Sequence, residues 1–586
     1  MNYELNKLSG KEKKSSTLAG VKSLLQLIAH ERKNLLLALA AILLNSSLNL
    51  LGPYLIGHTI DTYVQHKEYH GVLVYSGILL GMYLIALFTS YFQTKLMGGV
   101  GQRMLFTLRN AIFNKLQSLP VAFFNANKAG DLISRVNNDT DKLNSFFSQS
   151  LMQFIGSIVP MLGAGIFLLS INLKLGAATL APGVFILLFT QLVSPWVKRK
   201  NAANLKSTGS LSSEIQESLA NFKVIIAFNR RDYFRKRFGE ANQQNYKTAI
   251  GAGLANNLFL PVATFFSGLA QLIVLSYGIY LIAHGEFSIG LLVSYLAYSV
   301  NFYNPLRQLA SLWTSFQVAM AGWDRISEIL SMETNLEQIP TGATSQNSNA
   351  LVEFRNVHFG YTEKEILHNI SLELERGKTY AFVGPTGGGK TTTASLIARL
   401  YDPTQGQVFL DGKDIRTYTQ EERAQKIGFI LQEPFLFTGT VKDNILYGNS
   451  NYAAYTNEQL EQVITAANLE SLLKIFEKGL DTTVSSNGDN ISLGQKQLIA
   501  FMRAVLRNPE VLILDEATAN IDTVTEQLLE NILDKLPEQT TRIIIAHRLN
   551  TIKNADVIFF VNSGEVIRAG SFEDAMDKLL KGKRSS

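Results

Sequence analysis

The segment GPTGGGKT, residues 384–391, decides the fold of the C-terminal half of this chain. It follows the apolar run TYAFV (379–383), which has the character of a buried strand, and it leads into the helix-like TTASLIARL (392–400). A strand, a glycine-rich turn and a helix that begins at a Lys-Thr pair form a phosphate-binding loop, whose backbone N–H groups cradle phosphate oxygens. The pattern predicts a nucleoside triphosphate site in which Lys390 contacts the β- and γ-phosphates and Thr391 binds Mg²⁺.

The rest of this half alternates short β-rich runs with helical ones, which indicates a largely parallel α/β sheet. The β-rich runs are LVEFRNVHFGY (351–361), TYAFV (379–383), KIGFILQ (426–432), VLILD (511–515), TRIIIAH (541–547) and VIFFV (557–561). The fourth run ends on two acids, Asp515 and Glu516. In phosphoryl transfer such a pair holds Mg²⁺ and polarises the attacking water, although acids are also common at helix N-termini.

The N-terminal half has a different composition, because it contains uncharged runs long enough to cross a hydrocarbon core of about 30 Å. These runs are 34–57, 71–94, 143–173, 175–197, 248–283 and 287–306. One such run is compatible with a buried helix of a large soluble protein, but six in series predict six membrane spans. The fold class expected is an all-α six-helix transmembrane domain followed by an α/β P-loop domain with a helical subdomain.

The loops between the runs predict the orientation. The long loops 95–142 and 198–247 carry most of the basic residues that lie between the first and last runs, whereas the connections at 58–70, Lys174 and 284–286 carry few. Basic loops stay on the cytoplasmic side. We therefore expect a multi-pass protein of the cell membrane whose termini and C-terminal domain are cytoplasmic.

Composition and boundaries narrow the function further. The chain has 586 residues, no cysteine and a formal charge of +6, with the basic excess beside the membrane runs rather than in a nucleic-acid-binding pattern. The absence of cysteine excludes disulfides and thiolate chemistry, and no cleavable signal is expected. The predicted boundaries are a polar tail at 1–20, a transmembrane domain at 21–330, a linker at 331–350, a nucleotide-binding domain at 351–575 and a basic tail at 576–586.

With these motifs in register, residues 351–575 resemble the nucleotide-binding domain of an ATP-binding cassette (ABC) transporter. The whole chain resembles a half-transporter of the exporter type. In particular, it resembles one subunit of a heterodimeric bacterial multidrug exporter. The resemblance implies that Tyr361 stacks on adenine, that Gln432 senses the γ-phosphate, and that Glu516 and His547 act in hydrolysis. Taken alone, His547 is more simply a core histidine. Residues 120–143 and 228–238 resemble the intracellular loops that dock on such domains.

The resemblance also implies the cofactors, ATP and Mg²⁺. The metal is expected at Thr391, Gln432 and Asp515. The nucleotide is expected to contact Tyr361, Gly384, Pro385, Thr386, Gly387, Gly388, Gly389, Lys390, Thr391, Thr392, Ser492, Gly494, Gln495 and Asp522.

One loop departs from the family pattern. In this family the phosphate loop of one domain and the signature loop of another enclose each ATP. Here the signature reads Ile491-Ser492-Leu493-Gly494-Gln495, with leucine in place of the first of two glycines. A Cβ there disfavours positive φ, so we expect this loop to close poorly on the γ-phosphate. The upstream residues 485–488 also lack the usual charged pair.

An intact hydrolytic pair combined with a weakened signature predicts one member of a heterodimer with one fast and one slow ATP site. A homodimer that tolerates Leu493 is the alternative. The expected partners are a homologous half-transporter, membrane lipid and hydrophobic or cationic small molecules, without nucleic acid. The aromatic residues between 248 and 306 suit such cargo, although aromatic side chains in a helix bundle more often serve simple packing. A lipid or peptide exporter, or an ATP-gated channel, remains open.

Overall fold

The computed structural model describes Tyr3, Leu5 and residues 31–333, 336, 338–342, 344, 350–362, 364–485, 490–515, 523–545, 554–569, 573, 574 and 577. The chain divides into two compact units. We call Ser9–Gln117 with Gly130–Ser331 the helical unit, and Met1–Leu8, Ser118–Ala129 and Met332–Ser586 the nucleotide unit.

Long helices build the helical unit. Within residues 31–333 the α-helices are α1 (Arg32–Thr59), α2 (Tyr69–Ser118), α3 (Val121–Ala126), α4 (Ala129–Ser134), α5 (Thr140–Ser145), α6 (Leu151–Ile171), α7 (Leu173–Ala220), α8 (Phe222–Ala227), α9 (Arg231–Asn257), α10 (Phe259–Ala283) and α11 (Ile289–Leu330). Short π-helical turns at Ile60–Val64, Arg135–Asp139 and Phe146–Ser150 continue α1 and join α4, α5 and α6. Helix α3 belongs to the nucleotide unit.

Among the described residues, five helical segments are long and apolar enough to cross a membrane. They are Arg32–Val64, Tyr69–Ser118, Ala129–Ile171, Leu173–Ala220 and Arg231–Ala283. The sixth predicted span, 287–306, falls almost entirely within α11, which is not one of the five, and it stays a prediction. Lengths of 33 to 53 residues exceed the roughly 20 that a bilayer needs. The chain is therefore a multi-pass membrane protein whose helices extend beyond the hydrocarbon.

Three tyrosines of α11 hold it to three other helices. Tyr295, Tyr298 and Tyr303 are each at most 1% exposed. Their hydroxyls donate to backbone carbonyls: Tyr295 to Leu168 of α6, Tyr298 to Leu50 of α1 at 2.7 Å and Tyr303 to Thr179 of α7 at 2.7 Å. Buried hydroxyls need such partners. Packing, the ordinary interpretation of these aromatic residues, is correct for these three.

A buried ion network joins the segment after α4 to the end of α11. Arg135 is fully buried, and its Nε donates to Asp131 at 2.9 Å while its Nη1 donates to Glu328 at 2.6 Å. Arg325 pairs with Asp131 and, at 2.9 Å, with the buried Asp139. Charges buried in this way are tolerated only when paired, so these partners depend on one another.

The nucleotide unit contains the predicted α/β sheet. Its strands and helices after residue 349 are β1 (Ala350–Phe359), β2 (Leu367–Glu375), β3 (Thr379–Val383), α12 (Lys390–Ile397), β4 (Gln405–Leu410), β5 (Lys413–Asp414), α13 (Gln420–Lys426), β6 (Ile427–Ile430), β7 (Gly439–Thr440), α14 (Val441–Leu446), α15 (Asn457–Ala466), α16 (Glu470–Leu473), β8 (Thr483–Val484), α17 (Leu493–Val505), β9 (Val511–Asp515), α18 (Thr523–Leu533), β10 (Thr541–Ile545), β11 (Val557–Asn562) and β12 (Glu565–Ala569). The main sheet has the order β12-β11-β3-β10-β9-β6, and β12 alone is antiparallel to its neighbour.

A second, antiparallel sheet in the order β2-β1-β4-β5 was not predicted. Its first two strands pair antiparallel because residues 360–366 form a connection too short for the crossover that parallel strands require. This hairpin carries Tyr361 at its tip, so the unexpected sheet positions a predicted site residue.

Alternate residues of the main strands pack on opposite faces. On β9, Val511 and Ile513 join one apolar core, while Leu512 and Leu514 join the other. Because both faces are covered, the central strands consist of nearly continuous apolar residues. The core that contains Leu512 and Leu514 also includes residues of α15, α16 and α17, which form the helical subdomain.

Segments predicted as a tail and a linker pack against the nucleotide unit where they are described. Tyr3 and Leu5, in the predicted polar tail, are 7% and 3% exposed. The Asn127 side chain accepts from the N–H of Leu5 at 3.0 Å and donates to the carbonyl of Tyr3 at 2.8 Å. In the linker, Gln338 donates to the carbonyl of Thr417 at 2.8 Å.

Candidate functional site

The phosphate loop joins the central strand β3 to α12. Its first and last glycines have positive φ values, 151° at Gly384 and 114° at Gly389, where residues with a Cβ are strained. A Cβ on Gly384 would lie 1.9 Å from the carbonyl oxygen of Val561 on the neighbouring strand β11. The loop therefore lies against β11 so closely that only glycine fits at its start.

Lys390 is the first residue of α12 and is 5% exposed. Its Nζ donates to the carbonyl oxygens of Gly384 at 2.9 Å and Pro385 at 3.0 Å, so the ammonium is folded back over the loop. The positive end of α12 acts on the same space. An ammonium, a helix N-terminus and a glycine-rich backbone together favour phosphate groups.

Two of the three residues predicted to hold Mg²⁺, Thr391 and Asp515, lie next to each other. Thr391 Oγ1 donates to Asp515 Oδ1 at 3.1 Å, and Asp515 is 3% exposed at the end of β9. Throughout the part of the chain that the structure describes, no group of three or more His, Asp or Glu side chains could hold a metal ion. Mg²⁺ commonly takes one or two protein oxygens and completes its shell from phosphates and water. The donor set fits that ion in a nucleotide complex.

Tyr361 lies beside the start of α12 and is 48% exposed. Its Oη lies 3.2 Å from Thr392 Oγ1, and its ring packs edge-on against Phe359 and Tyr401, each at 5.0 Å between centroids. The two neighbouring rings fix its orientation while leaving much of it accessible. A fixed, accessible aromatic ring is a suitable surface for stacking a nucleobase.

Helix α3 lies against this part of the nucleotide unit, and Asn125 Nδ2 donates to Tyr401 Oη at 2.7 Å. Burial raises the pKa of Tyr401, and this bond opposes the shift. Tyr401 therefore contacts both α3 and the Tyr361 ring. The contact between Asn125, which lies in the predicted docking loop 120–143, and Tyr401 was not predicted, because 276 positions separate the two residues and no local pattern relates them.

The signature loop begins α17 through a capping box. Ser492 Oγ accepts from the N–H of Gln495 at 3.1 Å, and the side chain of Gln495 accepts from the N–H of Ser492 at 2.9 Å. Leu493 is the first residue of the helix and is 40% exposed, and Gly494 follows within the same turn.

This geometry corrects one part of the sequence reasoning. Neither Leu493 nor Gly494 is among the described residues with positive φ, and both lie in the α-helix. A leucine at the first helical position therefore causes no backbone strain. What distinguishes it from glycine is a partly exposed side chain at the N-terminus of α17.

Gln432 follows β6 and is exposed, with its backbone carbonyl accepting from Gln497 Nε2 at 3.0 Å. Four predictions cannot be compared with the structure. Glu516, Asp522, His547 and most of the divergent stretch 485–488 lie outside the described residues.

Comparison with known proteins agrees with this arrangement. Residues 35–306 match the family model "ABC transporter transmembrane region", and residues 367–519 match the model "ABC transporter". The chain is 34% identical over 550 residues to an uncharacterized ABC transporter ATP-binding protein, YfiC, of Bacillus subtilis, covering 93% of this chain and 90% of that protein.

Two further relatives have named cargo. The chain is 33% identical to the fatty acid ABC transporter ATP-binding/permease protein of Mycobacterium bovis, covering 85% of this chain and 78% of that one. It is 31% identical to a multidrug resistance ABC transporter ATP-binding and permease protein of Lactococcus lactis, covering 85% and 84%. The chain therefore belongs to the ABC transporter family, as an exporter polypeptide that joins a membrane region to an ATP-hydrolysing domain.

Proposed function

We propose that this protein exports amphipathic or drug-like compounds across the cytoplasmic membrane as one half of a heterodimer with one fast and one slow ATP site. Both long loops, both termini and the nucleotide unit are cytoplasmic in this proposal, as the basic loops favour.

In the fast site this chain supplies the phosphate loop. Lys390 neutralises charge on the β- and γ-phosphates, Tyr361 stacks on adenine, and Thr391, Asp515 and Gln432 hold Mg²⁺. The metal supplies charge neutralisation on the phosphate oxygens. The remaining loop residues, Gly384 to Gly389 with Thr392, contact the phosphates through their backbone or side chains.

Glu516 is the residue we assign to orienting the attacking water, with His547 contacting the γ-phosphate and Asp522 reaching toward the opposite site. These roles rest on the motifs and the family. A carboxylate beside the phosphates aligns water through hydrogen bonding, and the alignment lowers the barrier mainly by positioning. Loss of Glu516 should therefore abolish turnover while leaving nucleotide binding intact.

The slow site is the one to which this chain contributes Ser492, Gly494 and Gln495. The observation that carries the asymmetry is the side chain of Leu493, 40% exposed at the first position of α17. The N-terminus of α17 would stabilise the γ-phosphate through its exposed N–H groups. A leucine side chain there keeps the γ-phosphate away from these N–H groups and displaces water from the surface that the phosphate approaches. The alternative is a homodimer in which both sites tolerate this leucine.

Helix α3 is the element that we propose to transmit closure of the nucleotide units to the membrane helices. The support is its contact with Tyr401 through Asn125, next to the proposed adenine platform. Nucleotide binding at Tyr361 would change the packing of Tyr401 and so the position of α3.

The cargo is assigned by class. The apolar runs carry no charged residue, which disfavours a fixed ionic site and favours hydrophobic or cationic small molecules. The names of the two relatives support the export of drugs and the export of fatty acids equally well, so lipid export is the second candidate function. An ATP-gated channel is the remote alternative, and the Glu516–His547 pair in the sequence argues against it.

The test is steady-state ATPase activity in lipid of the chain alone, of the chain with a half-transporter encoded beside it, and of the pair carrying Glu516→Gln. We expect little activity alone, full activity for the pair, and loss of activity with Glu516→Gln. Full activity of the chain alone would refute the heterodimer, and conductance independent of Glu516 would indicate a channel.

A further inference from the structure

Helix α17 touches two functional loops. Its N-terminus carries Ser492 and Leu493, which we assign to the slow site, and its flank packs against β6 and the segment that follows it. We call that segment, residues 432–437, the 432–437 loop. It begins at Gln432, which we assign to the fast site of the same chain.

Gln497 connects the helix to the start of this loop. It is 4% exposed, and its Nε2 donates to the backbone carbonyl of Gln432 at 3.0 Å. Its Oε1 has no hydrogen-bond partner within the described part of the chain. The amide is thus buried with one hydrogen bond to the described part of the chain, and that bond ends on the backbone of a proposed Mg²⁺ ligand.

Arg503 connects the same helix to the end of the loop. Its Nη1 donates to the carbonyl of Phe435 at 3.1 Å and its Nε to the carbonyl of Asn444 at 2.8 Å. Asn444 in turn bonds both the N–H and the carbonyl of Phe437 at 2.8 Å. Burial lowers the pKa of Arg503, although the guanidinium stays charged at any physiological pH. Both ends of the 432–437 loop are therefore bonded to α17, directly or through Asn444, and should move with this helix.

We propose that Gln497 is a positioning residue that couples the two ATP sites, because it ties the position of Gln432 in the fast site to the position of α17 in the slow site. The inference rests on the proposed function, which assigns these two ends to different sites. When the slow site closes on nucleotide, α17 moves, and Gln497 moves the backbone of Gln432 with it. Arg503 anchors the loop more broadly, whereas Gln497 acts only at the metal-binding end.

The experiment is a double-mutant cycle in the assembled dimer, since such a cycle isolates the interaction between two positions. Leu493→Gly alters the slow site, and Gln497→Met removes the bond to Gln432 at similar volume. Fast-site turnover is the ATPase rate minus the rate left after Glu516→Gln. Gln462→Met, an exposed glutamine of α15, is the matched control.

We expect Leu493→Gly to change fast-site turnover by about two- to tenfold, the range that one hydrogen bond conveys. In the Gln497→Met background the same change should leave turnover within about 1.5-fold, whereas Gln462→Met should preserve the full effect. The thermal unfolding midpoint should hardly shift, because Gln497→Met also removes an oxygen without a described partner.

Two results would overturn the proposal: the same fold-change in both backgrounds, or no effect of Leu493→Gly in the presence of Gln497. If Gln497→Met prevents folding, Gln497→Leu replaces it, since a leucine side chain is uncharged and has no group to donate to the Gln432 carbonyl. Failure of the proposed function is recognised separately, because the chain alone would then hydrolyse ATP at the full rate without a partner.

Discussion

Replacing Leu493 by alanine and by glycine separates two explanations for a slow ATP site. Leu493 is 40% exposed and begins α17 with a helical backbone. If its side chain obstructs the phosphate, alanine should relieve the site nearly as well as glycine. If glycine were needed for its backbone freedom, alanine should behave like leucine.

The stability cost follows from the same geometry. With more than half of the side chain buried, truncation to alanine should lower the free energy of unfolding by about 1–2 kcal/mol. Glycine should cost about 1 kcal/mol more, because it is a poorer helix former than alanine. Thermal unfolding of the purified dimer measures both values.

The functional gain is measured as ATP binding to the dimer that carries Glu516→Gln, where hydrolysis does not interfere. The weaker of the two binding phases reports the slow site. We expect both substitutions to tighten it by about tenfold, the scale of one charge-assisted hydrogen bond. Tightening by glycine but not by alanine would refute the steric explanation.

Three further predictions concern other contacts. Thr391→Val, which removes the hydroxyl bonded to Asp515, should lower ATPase activity at least tenfold, roughly the effect of one lost charge-assisted contact, and raise the Mg²⁺ concentration for half-maximal rate; an unchanged Mg²⁺ dependence argues against the metal role. Arg135→Met should destabilise the helical unit by about 3–5 kcal/mol, because Asp131 and Glu328 lose a buried partner; an unfolding midpoint close to that of the wild type contradicts this. Burial raises the pKa of the Glu510 carboxyl, but the hydrogen bonds and positive charges of Lys426 and Arg376 outweigh burial, so the pKa lies below its ordinary value. Its stabilisation is therefore present above the ordinary carboxyl pKa and lost as pH falls through the lowered value. Glu510→Gln should reduce thermal stability at pH 7, and this loss should shrink as the pH falls below the ordinary carboxyl pKa; a loss that does not change with pH would be inconsistent with the ion pairs.

Local sequence patterns predicted the phosphate loop and the central strands of the nucleotide unit. The strand, loop and helix around Gly384 are contiguous in sequence, so composition and the glycine spacing were sufficient to expect them. The strands that end at Asp515 and Ile545 were recognisable as central strands from their continuous apolar residues, which occur because both faces of the sheet are covered.

The conformation of Leu493 was predictable in principle. Ser492 and Gln495 form the Ser-x-x-Gln pattern of a capping box, which starts a helix at the intervening residue. The expectation of poor closure rested on the glycine that the family pattern has at this position, and not on this local signal. Helical φ values follow from the cap, so the premise that this position needs a positive φ was wrong, while poor closure of the loop on the γ-phosphate stays a prediction.

Contacts between distant residues could not be predicted. Asn125 and Tyr401 meet although 276 positions separate them, and Gln497 meets Gln432 across 65. Their side chains have no periodicity or motif that relates one to the other. Such pairs are determined by packing of whole elements, which a single sequence does not encode in a readable pattern.

The most direct test of the central claim is the ATPase rate of this chain in lipid, alone and with a half-transporter encoded beside it, each with and without Glu516→Gln. An asymmetric dimer predicts little turnover alone, high turnover for the pair, and near-complete loss when Glu516 is replaced in this chain only. High turnover by the chain alone, or a pair that keeps half its rate after that replacement, would contradict the account, because both sites would then be competent.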